Sequence, residues 1–201
     1  MDVVALRVAA GGGSVDGIPA AALTAAGFTM LQRCVPLVRA LAGRRAAILL
    51  APSPAWLVAL AAADGRGAVL VNPDTSAAEI AKQCRAQRVG AVFTLHAFSA
   101  HIPDEIPRVL LDDAPQRALF TVPGGDDVKI DLGSHFGLQL EGDANEPGRD
   151  EECVIIDGVV YTHRTLIHDA QHPAHATGGA SELIKTVLAP LMAGAAITTK
   201  R

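Results

Sequence analysis

RRAAILLAPSPAWLVALAAADGRGAVLVNPDTSAAEIAKQCRAQRVGAVFTL occupies residues 44–95 and alternates short apolar runs with helix-like stretches. Residues 46–50 form a continuous apolar run, the pattern of a strand buried on both faces. Pro52-Ser53-Pro54 then turns the chain. Pro54 suits the first turn of a helix over residues 55–64, because its missing N–H would have no partner there anyway. Gly65 and Gly67 end that helix, and residues 68–71 read as a second buried strand. After Asn72-Pro73-Asp74, Ser76 caps a helix over 77–88, with Glu79 completing a capping box and Gly90 as the stop. Residues 91–95 are a third strand and 109–111 a fourth. Strand, helix, strand, helix, strand in units this short implies an α/β fold, an open, mainly parallel sheet with helices on both faces, over residues 44–112.

Upstream, Phe28, Leu31, Val35, Val38 and Leu41 fall near helical spacing over residues 24–41, with Pro36 as a kink or break and Gly43 as the stop. Gly11-Gly12-Gly13 and residues 14–19 read as a loose N-terminal loop. The glycines lack the spacing of a dinucleotide loop. Downstream, residues 113–152 contain Pro115, Pro123 and Pro147. Segments 118–122, 128–132 and 136–140 suit a small β meander, and 142–152 an acidic exposed loop. Asp157-Gly158 between two β-branched runs predicts a hairpin with a two-residue type I′ turn, since both central residues need positive φ. Thr162 caps a helix over 164–171, Pro173 interrupts it, and a helix over 181–192 leads through Gly194 into a strand at 195–199. The whole reads as one domain over 1–201, its core made by 44–112 and 153–200.

The 201 residues are 50% hydrophobic but only 3% aromatic, so the core rests on Ala, Val, Leu and Ile. A net charge of −4 without a basic run argues against nucleic acid as partner. Cys34, Cys84 and Cys153 are odd in number and widely spaced, which suits buried thiols in a reducing, cytoplasmic setting. Residues 46–63 carry no charge, but Pro52-Ser53-Pro54 breaks them into strand, turn and helix, not a membrane span. The N-terminal stretch carries Asp2 and Arg7 and lacks the basic leader of a signal peptide.

Three separated segments carry a resemblance. The first is Pro52-Ser53-Pro54, Gly67-Ala68, Asn72-Pro73 and Glu79; the second VVYTHRTL at 159–166; the third LAPLMAGAAITT at 188–199. In this order they resemble the N-terminal portion of the adenylate-forming (AMP-binding) acyl-CoA synthetases. The resemblance implies the fold of that family's first subdomain. The family places a Ser/Thr/Gly-rich phosphate loop just before the second segment. Here Ile156-Asp157-Gly158-Val159 occupies that place, and Asp157 would repel phosphate. The family's adenine-binding, Mg²⁺-binding and catalytic-lysine segments come after the matched region. The implied protein is synthetase-like and non-catalytic, without cofactor or metal. It would act as a small-ligand-binding or interaction module, with a dimer or protein partner covering former interdomain surface. The alternative is a partial acyl-CoA ligase that completes its ATP site with another chain.

An open parallel sheet leaves a crevice at the carboxyl ends of its strands. Pro52, Ser53, Asn72, Pro73 and His96 lie on that rim, and a small acyl or carboxylate ligand is the expected occupant. Thr162 and His163, in the second segment, and His175, near a family histidine position, complete the candidate set. His168, His172 and His175 have helical ligand spacing, but Pro173 disturbs it, and a metal site is not expected. Cys153 and His163 lack an orienting carboxylate, and no nucleophile, base and orienter set supports a hydrolase. Trp56 suits either the core or a groove rim.

Overall fold

A computed structural model describes residues 3–63, 67–133 and 150–199. The predicted strand at 136–140, most of the acidic loop, and Gly65 lie outside the described residues. The chain builds an eight-stranded sheet in the order β10-β9-β4-β3-β5-β6-β7-β8. Its centre is β3 (Arg45–Leu49), flanked by β4 (Ala68–Leu70) and β5 (Val89–Leu95), then β6 (Arg108–Leu111) and β9 (Glu152–Ile156), all parallel. Three antiparallel strands extend it. β7 (Arg117–Thr121) and β8 (Val128–Asp131) continue from β6, so the first two meander segments belong to the main sheet. β10 (Val159–Thr162) pairs with β9 across a two-residue turn, with Asp157 at φ 51° and Gly158 at φ 80°, as the Asp-Gly signal predicts.

Helices cover both faces. α4 (Pro54–Ala63) is buried at every position, because it lies between the sheet and α2 (Ala20–Arg33). Trp56 belongs to this core and is 2% exposed. The two helices approach so closely that a Cβ on Gly27 would fall 2.4 Å from the Val58 carbonyl oxygen and 2.6 Å from Ala61 Cβ. α2 ends at Cys34 and α3 (Val35–Leu41) leaves it at 92°, with Pro36 in the first turn of α3, so the expected single helix is two. The opposite face is smaller. There α5 (Ala77–Ala86) and the 3₁₀ turn His96–His101 cover Ala47, Leu49, Val69 and Val92 with Ile80, Cys84 and Ile102. Among the described residues no single helix is long and apolar enough to cross a membrane.

Three local readings are corrected. Gly90 does not stop α5 but lies inside β5, where a Cβ would sit 2.0 Å from the Ala40 carbonyl oxygen; α5 instead closes through Arg88 at φ 53°. The capping box is half made. Ser76 Oγ accepts from the Glu79 N–H at 3.4 Å, while the Glu79 carboxylate faces Lys82 Nζ at 3.3 Å. The N-terminal loop is structured: α1 (Val4–Gly11) leads into β1 (Ser14–Val15) and β2 (Ile18–Pro19). β1 pairs in parallel with β11 (Ala196–Ile197), making a small second sheet. Gly11 and Gly13 lie against the backbone that precedes β11. A Cβ on them would come within 2.4 Å of the Leu191 and 2.6 Å of the Ala195 carbonyl oxygens.

Candidate functional site

Each parallel strand delivers a loop to the carboxyl rim of the sheet. After β3, Pro52 is exposed and Ser53 turns inward, its Oγ accepting the Trp56 N–H at 3.1 Å. That bond caps α4 and fixes the loop. After β4, Asn72 folds over itself: its Oδ1 accepts the Asp74 N–H and its carbonyl the Thr75 N–H, both at 2.9 Å. Pro73 is half-buried beside it. His96 follows β5 and is exposed, with Nε2 4.0 Å from Asp112 Oδ1 at the end of β6. Asp112 is a rim residue that the sequence reading missed, because an acidic residue after a short strand carries no distinguishing pattern. The rim also receives the N-termini of α4 and α5, whose peptide dipoles present partial positive charge.

The remaining candidates stand elsewhere. β10 runs against β9, so Thr162 lies opposite Glu152 at the amino end of the parallel strands. Thr162 Oγ1 accepts the Thr165 N–H and caps α6 (His163–Gln171). His163 is 2% exposed, and its Nδ1 accepts the Val4 N–H at 3.2 Å, which ties α1 to α6. His175 sits in the 3₁₀ turn Pro173–His175, after which Gly178 and Gly179 approach Tyr161 and Asp157. The structure therefore brings together Pro52, Ser53, Asn72, Pro73 and His96, but not Thr162 or His163. His168 and His172 stack with ring centroids 4.9 Å apart, and the described residues include no group of three metal-ligating side chains.

No family model and no curated protein matches the sequence. Solved structures do. The N-terminal domain of FACL13 from Mycobacterium tuberculosis superposes with a TM-score of 0.67 at 16% identity, over 99% of this chain and 57% of that one. A benzoate CoA ligase from Burkholderia xenovorans LB400 gives 0.66 at 14% identity, over 99% and 46%. The anthranilate CoA ligase AuaEII, in complex with anthranoyl-AMP, gives 0.66 at 12% identity, over 98% and 44%. The fold is that of the N-terminal portion of CoA ligases. The chain spans about half the length of these solved structures.

On this CoA ligase-like fold the three thiols are buried. Burial pushes Cys84 up to about 11 and raises Cys34 and Cys153 as well, which leaves the unreactive thiol form dominant. His163 moves the other way. Burial lowers it to about 4, against a smaller opposing pull from Glu151. The folded state thus prefers the neutral ring, and protonation favours unfolding. The resulting stability is complete above the ordinary value of 6.5 and is lost as pH falls from 6.5 towards 4. The full loss is roughly 3 kcal/mol, because each tenfold change in proton affinity corresponds to about 1.36 kcal/mol. Urea unfolding at stepped pH should show that decline in the parent and a flatter profile in His163→Gln. Parallel profiles would remove His163 as the cause.

Proposed function

We propose that the chain is a non-catalytic, CoA ligase-like module that binds a small acyl or carboxylate ligand at the carboxyl rim of its sheet. Pro52, Ser53, Asn72, Pro73 and His96 form that crevice, and His175 stands apart from it in the 3₁₀ turn after α6. The observation that carries this reading is the turn at Asp157-Gly158. The sequence resemblance puts a phosphate loop there, and such a loop works by offering several N–H donors and a cation to a triphosphate. In this chain Ile156 and Val159 are direct ladder partners, and the two residues between them reverse the strand. A carboxylate, Asp157, is the side chain at the bend. The partial positive charge of two helix N-termini at the rim supports a singly charged carboxylate as ligand, without a triphosphate cradle.

Calorimetry separates this reading from the alternative, a partial ligase that needs a second chain. With Arg44→Gln and Arg88→Gln in place to remove the exposed arginines at the opposite end of the sheet, the expected result is no heat of binding with ATP and Mg²⁺, and saturable binding of a small aromatic or short-chain carboxylate that His96→Ala weakens. Tight binding of ATP by that variant would overturn the proposal. The same module is proposed to self-associate. Val159 and Val160, on the strand that ends the sheet among the described residues, are 53% and 46% exposed, which leaves apolar surface at that edge. Light scattering should give a dimer mass at high micromolar concentration, and a monomer mass throughout would count against this part.

A further inference from the structure

The end of the sheet opposite the rim carries a charge arrangement that no run of basic residues announces. The chain is acidic overall, with a net charge of −4. Yet α3 and α5 both finish there, and the strands that follow them start there. This gathers Arg39, Arg44, Arg45, Arg85 and Arg88 from separate parts of the sequence. A cavity of about 340 Å³ opens among them, lined by Leu41, Gly43, Arg44, Arg45, Gln87 and Arg88. Its volume lies in the range of small-molecule sites.

The lining is partly fixed and partly free. Arg45 is fixed: Nη2 and Nε donate to the Glu152 carboxylate at 2.8 and 3.1 Å, and Nη1 donates to Gln87 Oε1 at 2.9 Å. Arg44 and Arg88 are exposed, and their guanidinium groups make no hydrogen bond or ion pair with the described residues. Two helix C-termini oppose this positive charge, each with about half a negative charge. Their effect is reduced, because the N–H groups of Ala42, Arg44, Gln87 and Arg88 take up the carbonyls of Arg39, Leu41, Gln83 and Arg85. Three guanidiniums against one carboxylate and two helix ends still leave the lining near one positive charge, about +1.

Arg88 adds an independent observation. It holds φ 53° directly after a helix, the place where glycine is the favoured residue. The residue in this strained position is also one that lines the cavity.

We propose that this cavity is an anion site for a small ligand with two or more clustered phosphate groups, gripped by Arg44 and Arg88 with Arg45 fixed behind them. Guanidinium groups match such oxyanions because each offers a planar fork of donors and keeps its charge at any working pH. A multiply charged ligand is required, because exposed arginines hold a single charge only weakly through solvent screening. The site is independent of the carboxylate crevice, since the two lie at opposite ends of the strands.

The test is calorimetric titration with inorganic tripolyphosphate. The expected result is saturable binding near one ligand per chain that weakens as salt is raised. Arg44→Gln with Arg88→Gln should weaken it by about tenfold or more. Arg117→Gln with Lys129→Gln removes the same charge from exposed positions on β7 and β8 and should leave affinity unchanged. Arg88→Gly should weaken binding while raising the thermal midpoint by about 2–4 °C, a pairing that damage to the fold cannot produce. Equal losses in the two double variants would show only a general charge effect and overturn the proposal. So would absence of saturation, or parent-like affinity in Arg88→Gly.

Discussion

Trp56→Ala is expected to lower the free energy of unfolding by about 3–5 kcal/mol, the range for truncating a buried aromatic side chain. Trp56 is 2% exposed and is the only tryptophan in the chain. It stands in the first turn of a helix whose other buried positions include Ala55, Ala59, Ala61, Ala62 and Ala63. Small side chains on a helix held between a sheet and a second helix have little reach with which to fill the vacated volume. Aromatic residues make up only 3% of the sequence, so the loss is not shared with neighbours of similar size. Domains of this kind are stable by about 5–15 kcal/mol, and the substitution removes a large part of that. The midpoint of urea unfolding, followed by circular dichroism, gives the answer. Trp56→Phe should recover most of the loss, because it keeps a ring in the cavity. A cost below about 1 kcal/mol for the alanine variant would mean that α4 shifts freely, contrary to its close fit with α2.

Gly27→Val tests that fit from the other helix and should cost upwards of about 3 kcal/mol. Two effects oppose each other at this position. Helix propensity alone favours replacing glycine, by about 1 kcal/mol for alanine. Packing forbids it, because the first added carbon already lies 2.4 Å from the Val58 carbonyl oxygen and 2.9 Å from the Ala62 backbone nitrogen. Both neighbours are backbone atoms, so relief requires the helices to separate. Packing should therefore win, with Gly27→Ala destabilising less than Gly27→Val. A stabilised alanine variant in chemical denaturation would show that the helices part at little cost.

The central sheet is legible in the sequence because parallel strands buried on both faces are apolar throughout and short, and glycine or proline marks their ends. Ala46 to Leu50 and the Asp157-Gly158 hairpin are of this kind. The first hairpin is not legible. β1 and β2 have two residues each, too few to show any alternation, and β11, which pairs with β1, lies near the far end of the described chain. Gly90 looks like a helix stop because glycine often is one; its actual role, close contact with Ala40, depends on tertiary packing. The rim candidates Pro52, Asn72 and His96 follow from topology alone, since every parallel strand must release its loop at the same end. Thr162 and His163 separate from them because a hairpin reverses direction within two residues, and a motif match carries no direction. The arginine cluster was invisible for a related reason. Its members come from two separate segments, 39–45 and 85–88, and only the meeting of two helix ends brings those segments together.

The pairing of β1 with β11 also has a consequence for how the chain is made. Asp16 and Thr199, joined by hydrogen bonds beside this small sheet, are 183 residues apart. A ribosome releases residues in order, so β1 must wait without its partner strand until residues 196–197 have been synthesised. The loop that closes this pairing is long, but its entropic cost grows only with the logarithm of length. The delay is thus a matter of timing more than of energy. During that interval β1 lacks one of its two ladder partners and is open to proteases and chaperones on that edge, until residues 196–197 arrive.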